Sequence, residues 1–558
     1  MVSLFNALNI SSNALTVNES AISVVSHNVA NMNTEGYSKQ KVNLATRNIA
    51  GAIGDSTNAQ VRANGGVMIA NIMRYNDSYL NNYYRDQLSI LKGYEAQLSN
   101  LGDLADVFND LEGEGISGAL ASFYEAVNNL QEYPASSTAR VNFIESAKTL
   151  TSTLNAKNAQ LSEMTSKALG DGKTQDSLEA SKIFNEFSVF NDKLEELANV
   201  NKALQVTQTG TLQANNLLDQ RDMILNDIAQ FVDIKVEENA HNGSVTLYVG
   251  GEEMVAGSVV TGELSIQTAQ AYCESHDPKL KYPEEWVTAD GKPREAAVIS
   301  IVSKSKTGDI TTIVDDANSI ITGGSLGGLL HSTDTEIDGM NAGKAMDALN
   351  TIASSIANVF NNLNTREGAY CIDSTDTTKL LKSNEKNFIF GEPIQKKDEN
   401  GQLMFDPVTN KPIYEEVTAA NISVNSSLLT DDGIWNIACA YFKPGDTVDN
   451  RAIGNAQNVV AMLGTRTQKL EELGNMSIED YYTNLIGKVA AGGSNMEALV
   501  ETQSDVVDSI YDKILSNNSV DLNEELVDLV KYQTAYSAAA QVFNTCNTCL
   551  NTLITLGG

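Results

Sequence analysis

Basic residues are scarce in this chain, which has 38 lysines and arginines against 71 aspartates and glutamates and a formal net charge of −33. Such an excess of negative charge repels phosphate backbones and anionic lipid surfaces. The composition therefore predicts no nucleic-acid partner and no membrane partner. Long apolar runs are absent too, and no basic residue precedes one near the N-terminus. The sequence accordingly predicts neither a membrane span nor a cleavable signal.

Cysteine and histidine are also rare. The five cysteines are scattered, and an odd number without regular spacing is not a disulfide framework. Cys546 and Cys549 form a lone CxxC inside a helical pattern, where packing of small thiols is favoured over redox or zinc chemistry. The one metal-like cluster, Cys273, His276 and Asp277, lacks a second group of ligands. We predict no catalytic site, no cofactor and no metal, and hence a protein that is not an enzyme.

Proline is nearly absent from the two ends. Of the 8 prolines, all but Pro134 lie between Pro278 and Pro444, together with both tryptophans. Within this region, the segments AAVISIVSKSKTGDITTIV and GQLMFDPVTNKPIYEEV predict short strands. Residues 323–328, GGSLGG, fit no phosphate-loop pattern and favour a flexible joint before a helix. The middle of the chain is therefore predicted to carry β-rich insertions.

Both ends of the chain carry heptad-like apolar seams, typical of helices that need a partner. The N-terminal seam, interrupted only at Ser11 and Asn18, consists of Leu4, Leu8, Leu15, Ile22, Val25 and Val29. The C-terminal seam consists of Leu522, Leu526, Leu529, Tyr536, Phe543, Leu550 and Ile554. Two interpretations are open: the seams are assembly surfaces, or both helices pack on the same globular body.

These patterns predict a mainly α fold with β inserts: a long helical bundle or coiled-coil rod of paired N- and C-terminal segments, carrying small inserted β-rich domains. The predicted divisions are 1–40 for the N-terminal helix and turn, 41–260 for a helical rod with a β-hairpin, 261–317 and 366–444 for β-rich insertions, 318–365 and 445–515 for return helices, and 516–558 for the C-terminal helix.

The stretch SHNVANMNTEGYSKQ, residues 26–40, ends the N-terminal helical pattern. Asparagine competes for nearby backbone groups and glycine permits a left-handed cap, so this composition predicts a helix end and a turn. The motif residues are Asn28, Asn31, Asn33, Thr34, Gly36 and Tyr37. A simple cap explains them, and so does a turn that also contacts neighbouring subunits.

NVANMNTEGY, residues 28–37, and the C-terminal segment VDLNEELVDLVKYQTAYSAAAQVFNTCNTCLNTLITL together resemble the axial proteins of the bacterial flagellum. The segments NNLLDQRDMILNDIAQFVDIKV, GSLGGLLHSTDTEIDGMNAGKAMDALNTIASSIANVFNNLN and SIEDYYTNLIGKVA resemble the hook–filament junction proteins of that superfamily. The resemblance implies a structural adaptor that assembles at the distal end of the hook and joins hook to filament.

The resemblance also implies partners and a location. The implied partners are the hook protein, a second junction protein on the filament side, further copies of this chain in a helical homo-oligomer, and an export chaperone on the C-terminal helix. The implied location is the extracellular flagellum, reached through the flagellar type III apparatus without a cleavable signal. In the family the terminal helices form an inner tube, so residues 33–36 would turn the chain outward. The alternative is a secreted helical-stalk adhesin or enzyme whose activity lies in the middle insertion.

Overall fold

Helices make up most of the protein, for which a computed structural model describes residues 2–48, 64–109, 115–275, 286–287, 293–304, 310–314, 316–336, 338–397, 402–405 and 412–557. The helices are α1 (Val2–Ala30), α2 (Ser78–Phe108), α3 (Gly115–Glu132), α4 (Ser137–Leu169), α5 (Gln175–Glu179), α6 (Lys182–Val206), α7 (Leu212–Ala229), α8 (Ala269–Ser275), α9 (Gly324–Leu330), α10 (Ala342–Thr365), α11 (Gln457–Gly464), α12 (Ile478–Asn518) and α13 (Leu522–Gly557). Single 3₁₀ turns lie at Ser426–Leu429, Gly433–Asn436 and Glu471–Leu473.

The strands form small antiparallel sheets. One hairpin is β1 (Gln40–Asn48) and β2 (Asn64–Arg74). A four-stranded sheet follows the chain order, with β3 (Lys235–Glu238), β4 (Val245–Val249), β5 (Glu252–Ala256) and β6 (Val259–Val260). Next comes a three-stranded sheet of β7 (Glu263–Thr268), β8 (Ala297–Lys304) and β9 (Ile310–Val314). The last sheet contains β10 (Ala369–Asp373), β11 (Asp376–Lys382) and β12 (Ala440–Tyr441), with β10 in the centre.

The predicted fold class is confirmed: the described chain is mainly helical with small β insertions, and its two terminal helices, α1 and α13, pack against each other. The long helix α12 packs along α2 and leads into α13. It begins at Ser477, whose Oγ accepts a hydrogen bond from Asp480 N at 3.1 Å and so satisfies an unpaired donor of the first turn. The rod thus presents the two chain ends together.

Two predictions for the middle of the chain are wrong. In the segment GQLMFDPVTNKPIYEEV, the described residues 402–405 and 412–417 form single bridge pairs such as Phe405 with Pro412 rather than continuous strands, and Pro412 has no N–H to donate to a longer ladder. The glycine-rich residues 323–328 are not a joint before a helix, since Gly324–Leu330 is itself the helix α9, packed on α2. The strands predicted from AAVISIVSKSKTGDITTIV are confirmed as β8 and β9.

Two large apolar cores hold the body together. The first joins α3, α4, α10 and the start of α12 around Phe123, whose ring lies 5.0 Å from that of Phe360 and 5.8 Å from that of Phe390. The second joins α6 and α7 to the sheets β3–β6 and β7–β9. The segments predicted as insertions contribute to both cores, and their boundaries remain predictions.

Candidate assembly site

Small and β-branched side chains of α1 are buried close to the first hairpin and to α13. Val17, Ala21 and Val24 are buried on α1, and the last two form a cluster with Val42 of β1. Tyr532 of α13 packs against this cluster. The spacing of four and three places these α1 residues on one face of the helix. The base of the helix pair is therefore covered by the β1–β2 hairpin.

The predicted seams are partly covered in the single chain. Val25 is buried, whereas the other N-terminal seam residues are half-buried, namely Leu4, Leu8, Leu15, Ile22 and Val29. On α13 the side chains that are half-buried are Leu529, Phe543 and Leu550, and those that are exposed are Leu522, Leu526, Tyr536 and Ile554. The sequence missed further exposed apolar side chains: Phe5, Ile10, Val527, Val530, Val542 and Leu553. Each terminal helix thus carries more apolar surface than its partner covers.

The polar interruptions of the N-terminal seam are satisfied within the helix. Ser11 Oγ donates to Ala7 O at 2.8 Å, and Asn18 Nδ2 donates to Ala14 O at 2.7 Å. These hydrogen bonds explain how both residues are tolerated on a face that packs.

Asn28 is the centre of the turn that follows α1. Its side chain is 1% exposed, and both the nitrogen and the oxygen of its amide form hydrogen bonds. Nδ2 donates to Gln40 O at 2.8 Å and to Glu525 Oε2 at 2.9 Å. Oδ1 accepts from Gln40 N at 3.0 Å and from the Tyr37 hydroxyl at 2.7 Å. One asparagine therefore closes the turn and ties it to the start of α13.

The other motif residues shape the turn around Asn28. Tyr37 contacts the ring of His27, whose Nδ1 lies 3.0 Å from the phenol oxygen. Burial raises the pKa of Tyr37, and the charges of Asp219 and Glu525 raise it further, so the phenol keeps its proton. Gly36 has φ +74°, and a Cβ there would collide with the side chain of Met223. Tyrosine and glycine are thus both required by this local geometry.

The remaining asparagines and the threonine have lesser roles. Asn31 Nδ2 donates to His27 O at 2.9 Å, which satisfies a carbonyl in the last turn of α1. Thr34 Oγ1 reaches Asn31 Oδ1 at 3.4 Å, and both Asn33 and Thr34 are exposed. This part of the motif therefore acts as a cap with an exposed rim.

The sequence analysis did not predict the acidic side chains that contact this turn. Glu525, at the start of α13, is buried, and its carboxylate lies 3.3 Å from Lys39 Nζ. Lys39 Nζ also lies 2.5 Å from Glu524, and Lys39 N donates to Asn518 O at 2.9 Å. The sequence holds no local signal for these pairs, because the partners are separated by almost the whole chain.

A buried cluster of charges fixes the hairpin to the rod. Asp222 on α7 accepts from Arg74 Nη2 at 2.6 Å, from Arg85 Nη2 at 3.2 Å and from Arg221 Nη2 at 2.9 Å. Burial alone would raise the pKa of Asp222, but the three guanidinium groups lower it well below its usual range. Asp219 accepts from Arg74 Nε at 2.7 Å, yet burial outweighs that contact and raises its pKa. The available signal was the DQRD sequence within a helical segment.

We call the following set the terminal junction: Asn28, Tyr37, Lys39, Gln40, Arg74, Arg85, Asp219, Arg221, Asp222, Glu524 and Glu525. It brings the end of α1, both strands of the first hairpin, α7 and the start of α13 to one place. Its charged groups are paired with one another. The terminal junction is therefore suited to fix the direction of the terminal helices.

The remaining candidate sites are the CxxC pair and the metal-like cluster. In α13, Cys546 is buried and Cys549 is exposed, and both are free thiols. His276 and Asp277 lie outside the described residues, so the cluster with Cys273 cannot be placed. Among the residues that the structure describes, no group of histidine, cysteine, aspartate and glutamate could hold a metal ion. A helix of sufficient length and apolarity to cross a membrane is likewise not found in the described ranges.

Three family models match separate parts of the chain. The helical domain of the flagellar hook-associated protein FlgK matches residues 101–370. The flagellar basal body rod protein family matches residues 8–37, which include the motif around Asn28. The C-terminal family of the flagellar basal body rod proteins FlgEFG matches residues 513–556, which include α13. The two terminal matches coincide with the helices that the terminal junction brings together.

Similar proteins align over nearly the full chain. The flagellar hook-associated protein 1 of Bacillus subtilis is 26% identical over 557 residues, which cover 97% of this chain and 96% of that protein. The protein of the same name from Salmonella typhimurium is 22% identical and covers 98% and 99%. The solved structure of the flagellar hook junction protein FlgK from Burkholderia pseudomallei shares the fold with a TM-score of 0.53 at 13% identity, covering 79% of this chain and 100% of that one.

These findings support the structural interpretation and give no support to the adhesin or enzyme. The terminal matches, the helical-domain match and the full-length relatives all point to one family. Over nearly its full length the chain is therefore similar to the FlgK family of flagellar hook-associated proteins, structural components of the extracellular flagellum that assemble there with other flagellar proteins.

Proposed function

We propose that this chain is the adaptor that assembles at the distal end of the hook and joins the hook to the filament. The observation that carries the proposal is the pair of terminal helices, held together by the terminal junction with apolar stripes left uncovered along both. Large apolar side chains in such contiguous stripes are typical of interaction surfaces. Similarity to the hook-associated family supports the place of assembly.

The uncovered stripes are the proposed contacts with axial neighbours. Helix α1 has 29 residues, which corresponds to about 40 Å of length. On α13, Leu526 is 47% exposed although it occupies a seam position. We assign these stripes to three kinds of partner: the hook protein, a second junction protein on the filament side, and further copies of this chain in a helical homo-oligomer.

Replacing Leu526 with aspartate tests the stripe directly. Because Leu526 is exposed in the single chain, Leu526→Asp is expected to leave the thermal midpoint of the purified protein unchanged within about 2 °C. In the assembled junction the carboxylate would have to lose its water, so incorporation should fail. Strains with the variant are expected to release unpolymerised filament protein into the culture supernatant.

The control is Leu526→Met, which keeps an apolar side chain of similar volume. That strain should swim and carry filaments. Normal filament attachment in the Leu526→Asp strain would refute the stripe as an assembly surface. A strain lacking the whole chain should also release filament protein, and its failure to do so would refute the adaptor function.

Export is proposed to use the flagellar type III apparatus without a cleavable signal, with a small helical chaperone covering α13 beforehand. An amphipathic segment of this kind fits a hydrophobic groove through anchors at helical spacing. The proposed anchors are Leu526, Leu529, Tyr536 and Phe543. Leu529 and Phe543 are half-buried in the folded chain, so the chaperone would compete with folding at these positions.

A binding measurement separates this site from others. A fragment of residues 520–558 is expected to bind the chaperone and to gain helicity on binding, as seen by circular dichroism. The double variant Leu529→Asp and Phe543→Asp should weaken binding at least about tenfold, since two apolar anchors are lost. Equal affinity for a chain that lacks residues 520–558 would place the chaperone site elsewhere.

A further inference from the structure

Two of the five cysteines face each other across neighbouring strands. β10 and β12 are antiparallel, with Tyr370 opposite Ala440. If this register is extended by one step, to the residue that precedes β12, Cys371 falls opposite Cys439. Both cysteines are free thiols in the structure. No local pattern in the sequence predicts this pair, because the strand pairing is long-range.

The backbone geometry at this position suits a covalent link. Phe442 N donates to Gly368 O at 2.9 Å, which makes those two residues a hydrogen-bonded pair of the ladder. Pair types alternate along antiparallel strands, so Cys371 and Cys439 form a non-hydrogen-bonded pair, where Cα atoms lie about 4.5 Å apart. Disulfides span Cα separations of about 4.4–6.8 Å. The pair therefore falls within the range without movement of the backbone.

Both thiols also lie on the same face of the sheet. Ile372 and Ala440 belong to a small apolar cluster, whereas Cys439 belongs to the main core on the opposite face. Arg140 donates from Nη2 to Cys439 Sγ at 3.1 Å. Burial raises the pKa of Cys371, and the nearby Cys439 contributes to that rise while Arg140 opposes it. The two sulfur groups are thus neighbours beside one buried guanidinium.

We propose that Cys371 and Cys439 form an intramolecular disulfide when the chain folds in an oxidising environment, with a low-molecular-weight disulfide such as oxidised glutathione as the oxidant. One cysteine thiolate attacks the glutathione S–S bond, which releases one glutathione thiolate and leaves a mixed disulfide. The second cysteine thiolate attacks the protein sulfur of that bond and releases the other glutathione thiolate. The protein loses two protons and two electrons, and the oxidant becomes two thiols.

The burial of the pair sets the time at which the bond forms. Each cysteine residue is 2% exposed, so a reagent of the size of glutathione reaches the sulfurs only while β12 is not yet in place. Reducing cytosol keeps such thiols free, and an oxidising exterior does not. The inference does not rest on the proposed function, because a purified chain is enough to test it.

Refolding with only this pair of thiols is the test. The triple variant Cys273→Ser, Cys546→Ser and Cys549→Ser is unfolded, then refolded with oxidised and reduced glutathione. The refolded protein is expected to weigh two hydrogens less, and proteolysis should yield one peptide pair joined through Cys371 and Cys439. The full wild-type chain, mapped in the same way, should contain the same linked pair.

The matched control moves one thiol to the other face of the sheet. In the triple variant, adding Cys371→Ser with Ile372→Cys keeps two thiols at nearly the same sequence separation, but the pleat directs them apart. Linkage should fall at least about tenfold. Free thiols at Cys371 and Cys439 in refolded wild-type protein of native circular dichroism would overturn the proposal, and so would equal linkage in the control.

Discussion

Asn28 is a residue whose individual contribution can be measured. Its buried amide bonds both backbone groups of Gln40 and the carboxylate of Glu525. Asn28→Ala leaves these groups without a partner, and unsatisfied buried groups cost about 1–3 kcal/mol each. We expect the free energy of unfolding to fall by at least about 2 kcal/mol in urea titrations followed by helical circular dichroism.

Asn33→Ala is the control for Asn28, since the Asn33 side chain is exposed in the same turn. A change within about 0.5 kcal/mol is expected there. Equal losses of stability in both variants would mean that the turn responds to any change in sequence, and that the Asn28 amide has no special role.

Asp222 has a pH-dependent role. Its pKa in the folded chain is lowered, so the unfolded chain binds more protons in acid and the stabilisation is present at neutral pH but lost as the pH falls below about 4. Asp222→Asn leaves three buried guanidinium groups without this partner and should cost about 3–5 kcal/mol at pH 7. The difference from wild type, measured by urea unfolding, should shrink by about 1.4 kcal/mol for each pH unit below 4.

Asp219→Asn provides the comparison of opposite sign. Burial raises the pKa of Asp219, so the folded chain holds its proton more tightly and ionisation opposes folding as the pH rises. This variant should therefore gain stability relative to wild type as the pH rises above about 4, the usual pKa of an aspartate. If the free energy of unfolding of both variants changed with pH in the same way relative to wild type, the conclusion that the charge of Asp222 is stabilising would be contradicted.

At the scale of single residues, the sequence predicted one of the two partners in each contact. The motif around Asn28 was found because asparagine and glycine have strong local preferences at helix ends. Glu525 and Arg74 carried no comparable local signal, because a charged residue is usually on the solvated surface. Their burial depends on segments that are far apart in the chain, which only the tertiary structure brings together.

Among the elements, the contact of α9 with α2 depends on glycine. An ideal Cβ on Gly328 would lie 2.5 Å from Gly93 O and 2.7 Å from Ala96 Cβ. Gly328→Ala should force the helices apart and cost about 1–3 kcal/mol. Gly102→Ala, on α2 with nothing within 4 Å of its Cβ, should instead stabilise by about 0.5–1 kcal/mol. Urea unfolding measures the free energy of unfolding of both variants. Equal changes in that free energy would show that the effect of alanine at both positions comes from backbone entropy alone.

The terminal helices were predictable as elements but their packed faces were not. The heptad spacing correctly indicated helices at both ends. In the structure, α1 buries Val17, Ala21 and Val24 together with the seam residue Val25, whereas Leu15 and Ile22 of the predicted seam are half-buried. A periodic pattern defines the width of an apolar stripe but not which part of it a given neighbour covers. The uncovered part is the surface that we propose for assembly.

For the whole molecule, composition distinguished a helical framework from a proline-rich middle. It did not predict how the two pack together. The sequence suggested insertions at 261–317 and 366–444, yet Ile301 packs in the core of α6 and α7, and Phe390 packs in the core of α3 and α4. Loop-like composition is visible in a sequence, whereas a few apolar anchors within such a segment are not distinguishable from scattered surface residues.

Phe390 tests whether the middle segment folds with the helices as one unit. Its ring contacts those of Phe123 and Phe360 at 5.8 Å and 5.9 Å, and it is fully buried. Phe390→Ala should therefore lower the free energy of unfolding of the helical body by about 3–5 kcal/mol, measured by helical circular dichroism in urea. Phe405→Ala, in the same segment but exposed, should change it by less than about 0.5 kcal/mol. If the segment were an independent domain, neither substitution would shift the helical unfolding transition, because the segment would then unfold independently of α3 and α4.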